Sequence, residues 1–201
     1  MKKFFTFLLL VILSAGLVAC GGDSESTGEQ KTDNTAQEQK DDKGKEEKEV
    51  RKSELGTLTV IKKKKDLNYV VQSGPMNLTI NAIQTATLDV SQNYKEFFGK
   101  DQVTIVTVEM KAENTSEDTI SFYPDQAVLT TNTGEQVESD IFLSDDVGGD
   151  FYGKVNKKGD VIFVLESPAE DITDIKLIID AAIDEDWNAL SNNLQVELSF
   201  N

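Results

Sequence analysis

From Thr57 onward, apolar and polar residues alternate at a period of two in short runs separated by Gly, Asn and Asp clusters. This is the pattern of half-buried β-strands. It predicts strands over 57–62, 69–72, 76–88, 102–113, 119–123, 127–131, 135–138, 151–155, 161–165, 174–179 and 194–200. In the third run Leu78, Ile80 and Ala82 fall on one face. In the fourth, Val106, Val108, Met110 and Ala112 alternate against Thr107, Glu109 and Lys111. Asn114 to Asp118 reads as a turn, and Asn132-Thr133-Gly134 as a hairpin tip. So many short strands in about 145 residues, with no long amphipathic helix, predict an all-β, two-sheet antiparallel sandwich over 57–201.

The hydropathy pattern differs at the N-terminus. Lys2 and Lys3 precede an apolar stretch from Phe4 to Leu13, and small residues then lead to Leu17-Val18-Ala19-Cys20. The apolar stretch is too short for a spanning helix and reads as a signal peptide over 1–19. Leu-Val-Ala-Cys is a lipobox, so Cys20, the one cysteine of the chain, is expected to carry a diacylglyceryl group after cleavage. Acylation in pairs gives durable anchoring where a single chain is marginal. The expected location is the cell membrane, lipid-anchored on the extracytoplasmic face. Residues 20–56 are rich in Glu, Asp, Lys, Gln, Thr, Ser and Gly, and cannot bury enough surface to offset the entropy of ordering. They predict a disordered tether with a root-mean-square span of ~35 Å.

Charge narrows the chemistry. The chain carries −16 at pH 7, and loss of the two signal-peptide lysines makes that −18. Such a surface repels nucleic acid, so no nucleic-acid partner is expected. There is no histidine, which removes Ser-His-Asp triads, Cys-His pairs and His-ligated zinc. No catalytic residue is expected. A carboxylate pair acting as a hydrolase on cell-envelope material is the alternative.

Four features carry candidate chemistry. Tyr94, Phe97 and Phe98 cluster between two strands, where aromatics on a sandwich-end loop serve recognition; the alternative is a helical turn whose ring at Phe97 or Phe98 plugs the sandwich end. Asp140, Asp145, Asp146 and Asp150 surround Gly148-Gly149, a loop that could offer oxygens to calcium, but its spacing is not that of an EF-hand. Carboxylates also crowd by chance in so acidic a chain, so no cofactor beyond the lipid is expected. Asp180, Asp184, Glu185 and Asp186 form a second acidic group beside Trp187, itself expected as a core plug on a short helix. Lys62 to Lys65 is a dense basic run that reads as a solvated loop after an edge strand, or as a contact for phosphate-bearing lipids or wall polymers.

Val108-Glu109-Met110-Lys111-Ala112-Glu113-Asn114-Thr115-Ser116, followed by Ile120-Ser121-Phe122, resembles a strand, turn and returning strand of a known family. It is the immunoglobulin-like domain-of-unknown-function family of Gram-positive lipoproteins, related in fold to a mycobacterial immunoprotective secreted antigen. Leu129 and Gly134 fit the hairpin that follows. Lys158-Gly159-Asp160, then Val161 to Leu165 and Pro168, stand where that family has a Pro-Gly-Glu-like turn and an apolar strand; Lys158 replaces the Pro. The resemblance spans about 76–200 and implies an immunoglobulin-like antiparallel β-sandwich. It carries no activity across. The functional expectation is therefore a non-enzymatic binding module, its partner a cell-envelope protein or wall polymer besides the membrane itself.

Overall fold

The structure, a computed structural model, describes residues 49–201. The lipobox, Cys20 and most of the predicted tether lie outside the described residues. Within them the chain forms β1 (Val50–Ser53), β2 (Gly56–Lys64), β3 (Tyr69–Ser73), β4 (Met76–Val90), α1 (Lys95–Phe98), β5 (Gln102–Asn114), β6 (Thr119–Phe122), β7 (Val128–Thr131), β8 (Gln136–Glu138), β9 (Gly149–Tyr152), β10 (Asn156–Leu165), β11 (Asp174–Ile179) and β12 (Leu194–Ser199).

The larger sheet has the order β1-β2-β4-β5-β10, with β3 also paired to β4. The second has the order β12-β11-β7-β8, and β6 pairs with β9 in a two-stranded ribbon. Every named pairing is antiparallel. The fold is an all-β sandwich. One core is shared by Met76, Leu78 and Ile80 of β4, Val106, Val108 and Met110 of β5, Phe163 of β10, Leu129 of β7, Leu177 of β11 and Val196 of β12. Each large side chain taken fully out of water stabilises the fold by roughly 1.5–3 kcal/mol.

Four sequence expectations are corrected. Residues 50–53, assigned to the tether, pair with β2 through Val50↔Thr59 to Ser53↔Gly56. All four side chains of β1 are exposed, so backbone pairing rather than apolar alternation holds this edge strand. Ala82 does not share a face with Leu78 and Ile80, because the register shifts between Ile80 and Ala82. Such a bulge inverts the facing of everything beyond it: Ile83 enters the core, while Ala82, Gln84 and Leu88 line the opposite face. Lys158-Gly159-Asp160 is strand rather than turn, since β10 pairs with β5 from Asn156↔Glu113 onward. Gly159 is needed for a close approach, because a methyl group there would overlap the Asp145 side chain. Trp187 is 82% exposed and lies at φ 64° in a tight turn. Asp184 holds that turn by accepting from the backbone N–H groups of Asp186 (3.0 Å) and Asn188 (2.8 Å).

The Asn-Thr-Ser motif is structural. Asn114 is buried, its Oδ1 accepts from the Ser116 N–H at 2.9 Å, and its Nδ2 donates to the Asp118 carbonyl at 2.8 Å. At the β7–β8 hairpin tip, Asn132 Oδ1 accepts from the Thr173 N–H at 2.8 Å, which ties the tip to β11.

Candidate functional site

The bulge in β4 exposes a second face. On the side of the larger sheet away from the core, Leu88, Val90, Val103 and Ile105 form a separate apolar cluster. Leu55, Leu58, Tyr94, Phe98, Ile162 and Val164 pack against it. The β1–β2 hairpin, α1 and Leu143 border an open groove of about 810 Å³ over this face, inside the size range of small-ligand sites. The hairpin turn depends on Gly56, at φ 145°, where a methyl group would overlap the Asp89 carbonyl.

Strand register orders the groove from one end to the other. Leu58, Leu88 and Val103 align across β2, β4 and β5. Further along come Lys63, Gln84, Thr107 and Ile162, then Ala82, Glu109 and Asp160, and last Lys111 opposite Lys158. The groove is thus apolar at the α1 end and charged at the other. Gln84 lies in its middle at 6% exposure.

Asp160 is the electrostatically perturbed group here. Desolvation pushes its carboxyl above the ordinary range, and the carboxylates of Glu109 and Asp145 push the same way against the weaker pull of Arg51 and Lys63. Arg51 and Lys63 both bridge to Glu49, the latter at 3.6 Å, and Lys111 bridges to Glu113 at 2.8 Å. Among the described residues, Lys65 and Lys158 have no carboxylate partner.

The three candidate aromatics share one short segment but meet different surroundings. Phe98 lines the groove, and Tyr94 is half-buried against the outer cluster. Phe97 is 52% exposed and meets Phe98 edge to face, with centroids 4.9 Å apart. No ring of this turn is fully buried.

The four candidate aspartates are not brought together. Asp140 Oδ1 accepts from the Phe142 and Leu143 N–H groups at 2.9 and 3.2 Å. Asp145 Oδ2 accepts from the Asp160 N–H at 2.8 Å, and Asp146 meets Lys157 at 3.3 Å. Asp150 accepts from the Ser121 hydroxyl at 2.6 Å. No cluster of three or more acidic or thiol ligands with metal-binding geometry occurs among the described residues. Residues 140–145 instead run along the outer edge of β10: the Asp140 N–H donates to the Ile162 carbonyl at 2.8 Å and the Asp145 N–H to the Asp160 carbonyl at 2.9 Å. They cover an edge that would otherwise template pairing. In the second acidic group, hydrogen bonds from Asn188 hold Asp184 below the usual carboxylate range.

Sequence reasoning missed the groove because its residues come from six separated segments. The signals were present: Glu109 and Lys111 are the outward positions of β5, and Lys63 and Lys65 belong to the basic run. That run is strand through Lys64, and Lys62 Nζ donates to the Glu170 and Ile172 carbonyls at 2.6 and 2.7 Å.

No family model matches the chain. Over 133 residues it is 29% identical to the SPbeta prophage-derived uncharacterized lipoprotein YonS of Bacillus subtilis strain 168, a match covering 65% of this chain and 60% of that protein. The chain therefore spans about three fifths of the relative's length. A functionally unknown protein from Listeria monocytogenes EGD-e shares the fold at TM-score 0.56 and 13% identity, covering 73% of this chain and 89% of its own. The yjhA protein from Bacillus subtilis aligns at TM-score 0.44 and 13% identity, over 69% of this chain and 100% of its own. The similarity is thus to a lipoprotein of unknown function, in agreement with the lipobox. No helix among the described residues is long and apolar enough to cross a membrane.

Proposed function

We propose that this is a lipoprotein anchored through Cys20 on the extracytoplasmic face of the cell membrane, whose immunoglobulin-like sandwich is a non-enzymatic binding module. The observation that carries the reading is the open groove on the outer face of the larger sheet, with Phe98 at one end and charged side chains at the other. A sheet face roofed at one end and left as an open groove beyond it, beside a separate complete core, is a surface suited to a ligand. The test is cross-linking on intact cells. Replacing Tyr94, Phe97 and Phe98 by Ser should abolish partner capture while a cooperative thermal transition persists; unchanged capture would sink the reading. Replacing Cys20 by Ala should release the chain from the membrane fraction, and retention there would remove the anchor.

One observation favours a carboxylate-dependent hydrolase of cell-envelope material as a second reading. Glu109 and Asp160 face one another across β5 and β10 within the groove, and the Asp160 carboxyl is raised, as a general acid requires. Turnover of envelope polymers that disappears in Glu109→Gln would decide for it.

A further inference from the structure

We infer that the outer-face groove binds a single-chain anionic amphiphile, its tail against the half-buried Leu58 and Phe98 and its head at Lys65 and Lys158. This deepens the binding-module reading and rests on the same groove.

Charge points to an anion. The chain has 36 acidic residues against 20 basic ones, yet the groove lining reverses that balance, with Arg51, Lys63, Lys65, Lys111 and Lys158 against Asp66, Glu109 and Asp160. Glu49 and Glu113 just outside the lining pair with three of those cations and leave the cleft near neutral, so in a strongly negative protein it is where an anion is least repelled. Polarity along the groove points to an amphiphile. The ladder places Leu58 and Leu88 at one end and the Lys111–Lys158 pair at the other, which suits a ligand that is itself apolar at one end and charged at the other.

The cations of the groove also divide their labour. Arg51 and Lys63 are already committed, to Glu49 and to the field around Asp160. Lys65 and Lys158 have no carboxylate partner among the described residues, so they can meet an incoming anion without first breaking an ion pair. The Gln84 amide, nearly buried between the two ends, makes no side-chain hydrogen bond among the described residues and can serve a polar atom near the head.

Dodecanoate below its micelle concentration is the probe, titrated by calorimetry into the mature chain, residues 20–201 with Cys20→Ala, so that neither an acyl group nor the apolar stretch Phe4 to Leu13 competes. Saturable binding at one per chain is expected, with dodecyltrimethylammonium, of equal tail and opposite head, weaker by about tenfold or more. The double variant Lys65→Glu, Lys158→Glu should lose a similar factor for dodecanoate and keep the wild-type melting temperature. Equal affinity for the cationic amphiphile, unchanged affinity in the double variant, or no binding of dodecanoate would each overturn the inference. If dodecanoate fails while the wild-type groove still captures a protein or wall polymer on cells, the amphiphile falls and the binding-module reading stands. If neither binds, both fall.

Discussion

The larger sheet has two apolar faces, and they have been finished differently. Toward the second sheet, Val106, Val108, Met110 and Ala112 of β5 are sealed at zero exposure, with Phe163 and Leu129 packed among them. On the other side of the same strand, Val103 and Ile105 are covered only by the β1–β2 hairpin, α1 and their neighbours, and the face then gives way to Thr107, Glu109 and Lys111. One face is closed by another sheet; the other is roofed at one end and open along its length. The inner face thus carries the larger share of the buried apolar side chains, and the proposed ligand is assigned to the open part of the outer one.

Truncating one aromatic on each face tests that contrast most strongly. Phe163→Ala should cost about 3–5 kcal/mol in urea unfolding, as cavities in closed cores do. Phe98→Ala should cost about 1–2 kcal/mol, because the ring is only half-buried, and should act mainly on groove binding. Equal losses would mean that the outer face is a core of the ordinary kind.

Next in size is Gly159→Ala. The added methyl group would collide with Asp145 and push the 140–145 segment off the edge of β10, at a cost of about 1–3 kcal/mol. Hydrogen exchange should quicken at the Asp160 and Ile162 amides, which now donate to Asp145 and Ser144.

The strand alternation of β5 and the Asn132-Thr133-Gly134 hairpin tip were legible in the sequence because each is a local pattern: side chains alternate strictly along a strand, and Asn and Gly mark tight turns. The outward turn of Ala82 was not, because a bulge leaves no compositional mark at Ile80-Asn81-Ala82. Nor was β1, whose exposed Arg51 and Lys52 read as linker until β2 supplies its hydrogen bonds. Phe98 was singled out by residue type, whereas Glu109, Asp160 and Lys158 meet it only through the ladder.

Two carboxylates give smaller effects of opposite sign. Burial pushes Glu135 up, but the backbone N–H groups of Glu166 and Ser167, with the Ser167 contact and Lys100, prevail and hold it below its ordinary value. Glu135 therefore stabilises the fold above its unfolded pKa, and that contribution is lost as pH falls through its folded pKa. Glu135→Ala should cost about 1–2 kcal/mol at neutral pH, the gap closing on acidification. Asp160 is raised, so its ionisation destabilises the fold as pH rises toward and past its folded pKa. Asp160→Asn should raise the melting temperature slightly at neutral pH, with no difference below the ordinary Asp range. Matching pH profiles for the two variants would contradict the contrast between a satisfied carboxylate and a crowded one in an open groove.

The most direct measurement is site-specific photo-cross-linking on intact cells, with the reactive group placed at position 98 on the groove or at position 176 on β11 of the other sheet. Adducts are expected from 98 that are absent from 176 and are displaced by an excess of the purified domain. The same adducts from both positions, or adducts from 176 alone, would contradict the assignment of the outer face as the binding surface.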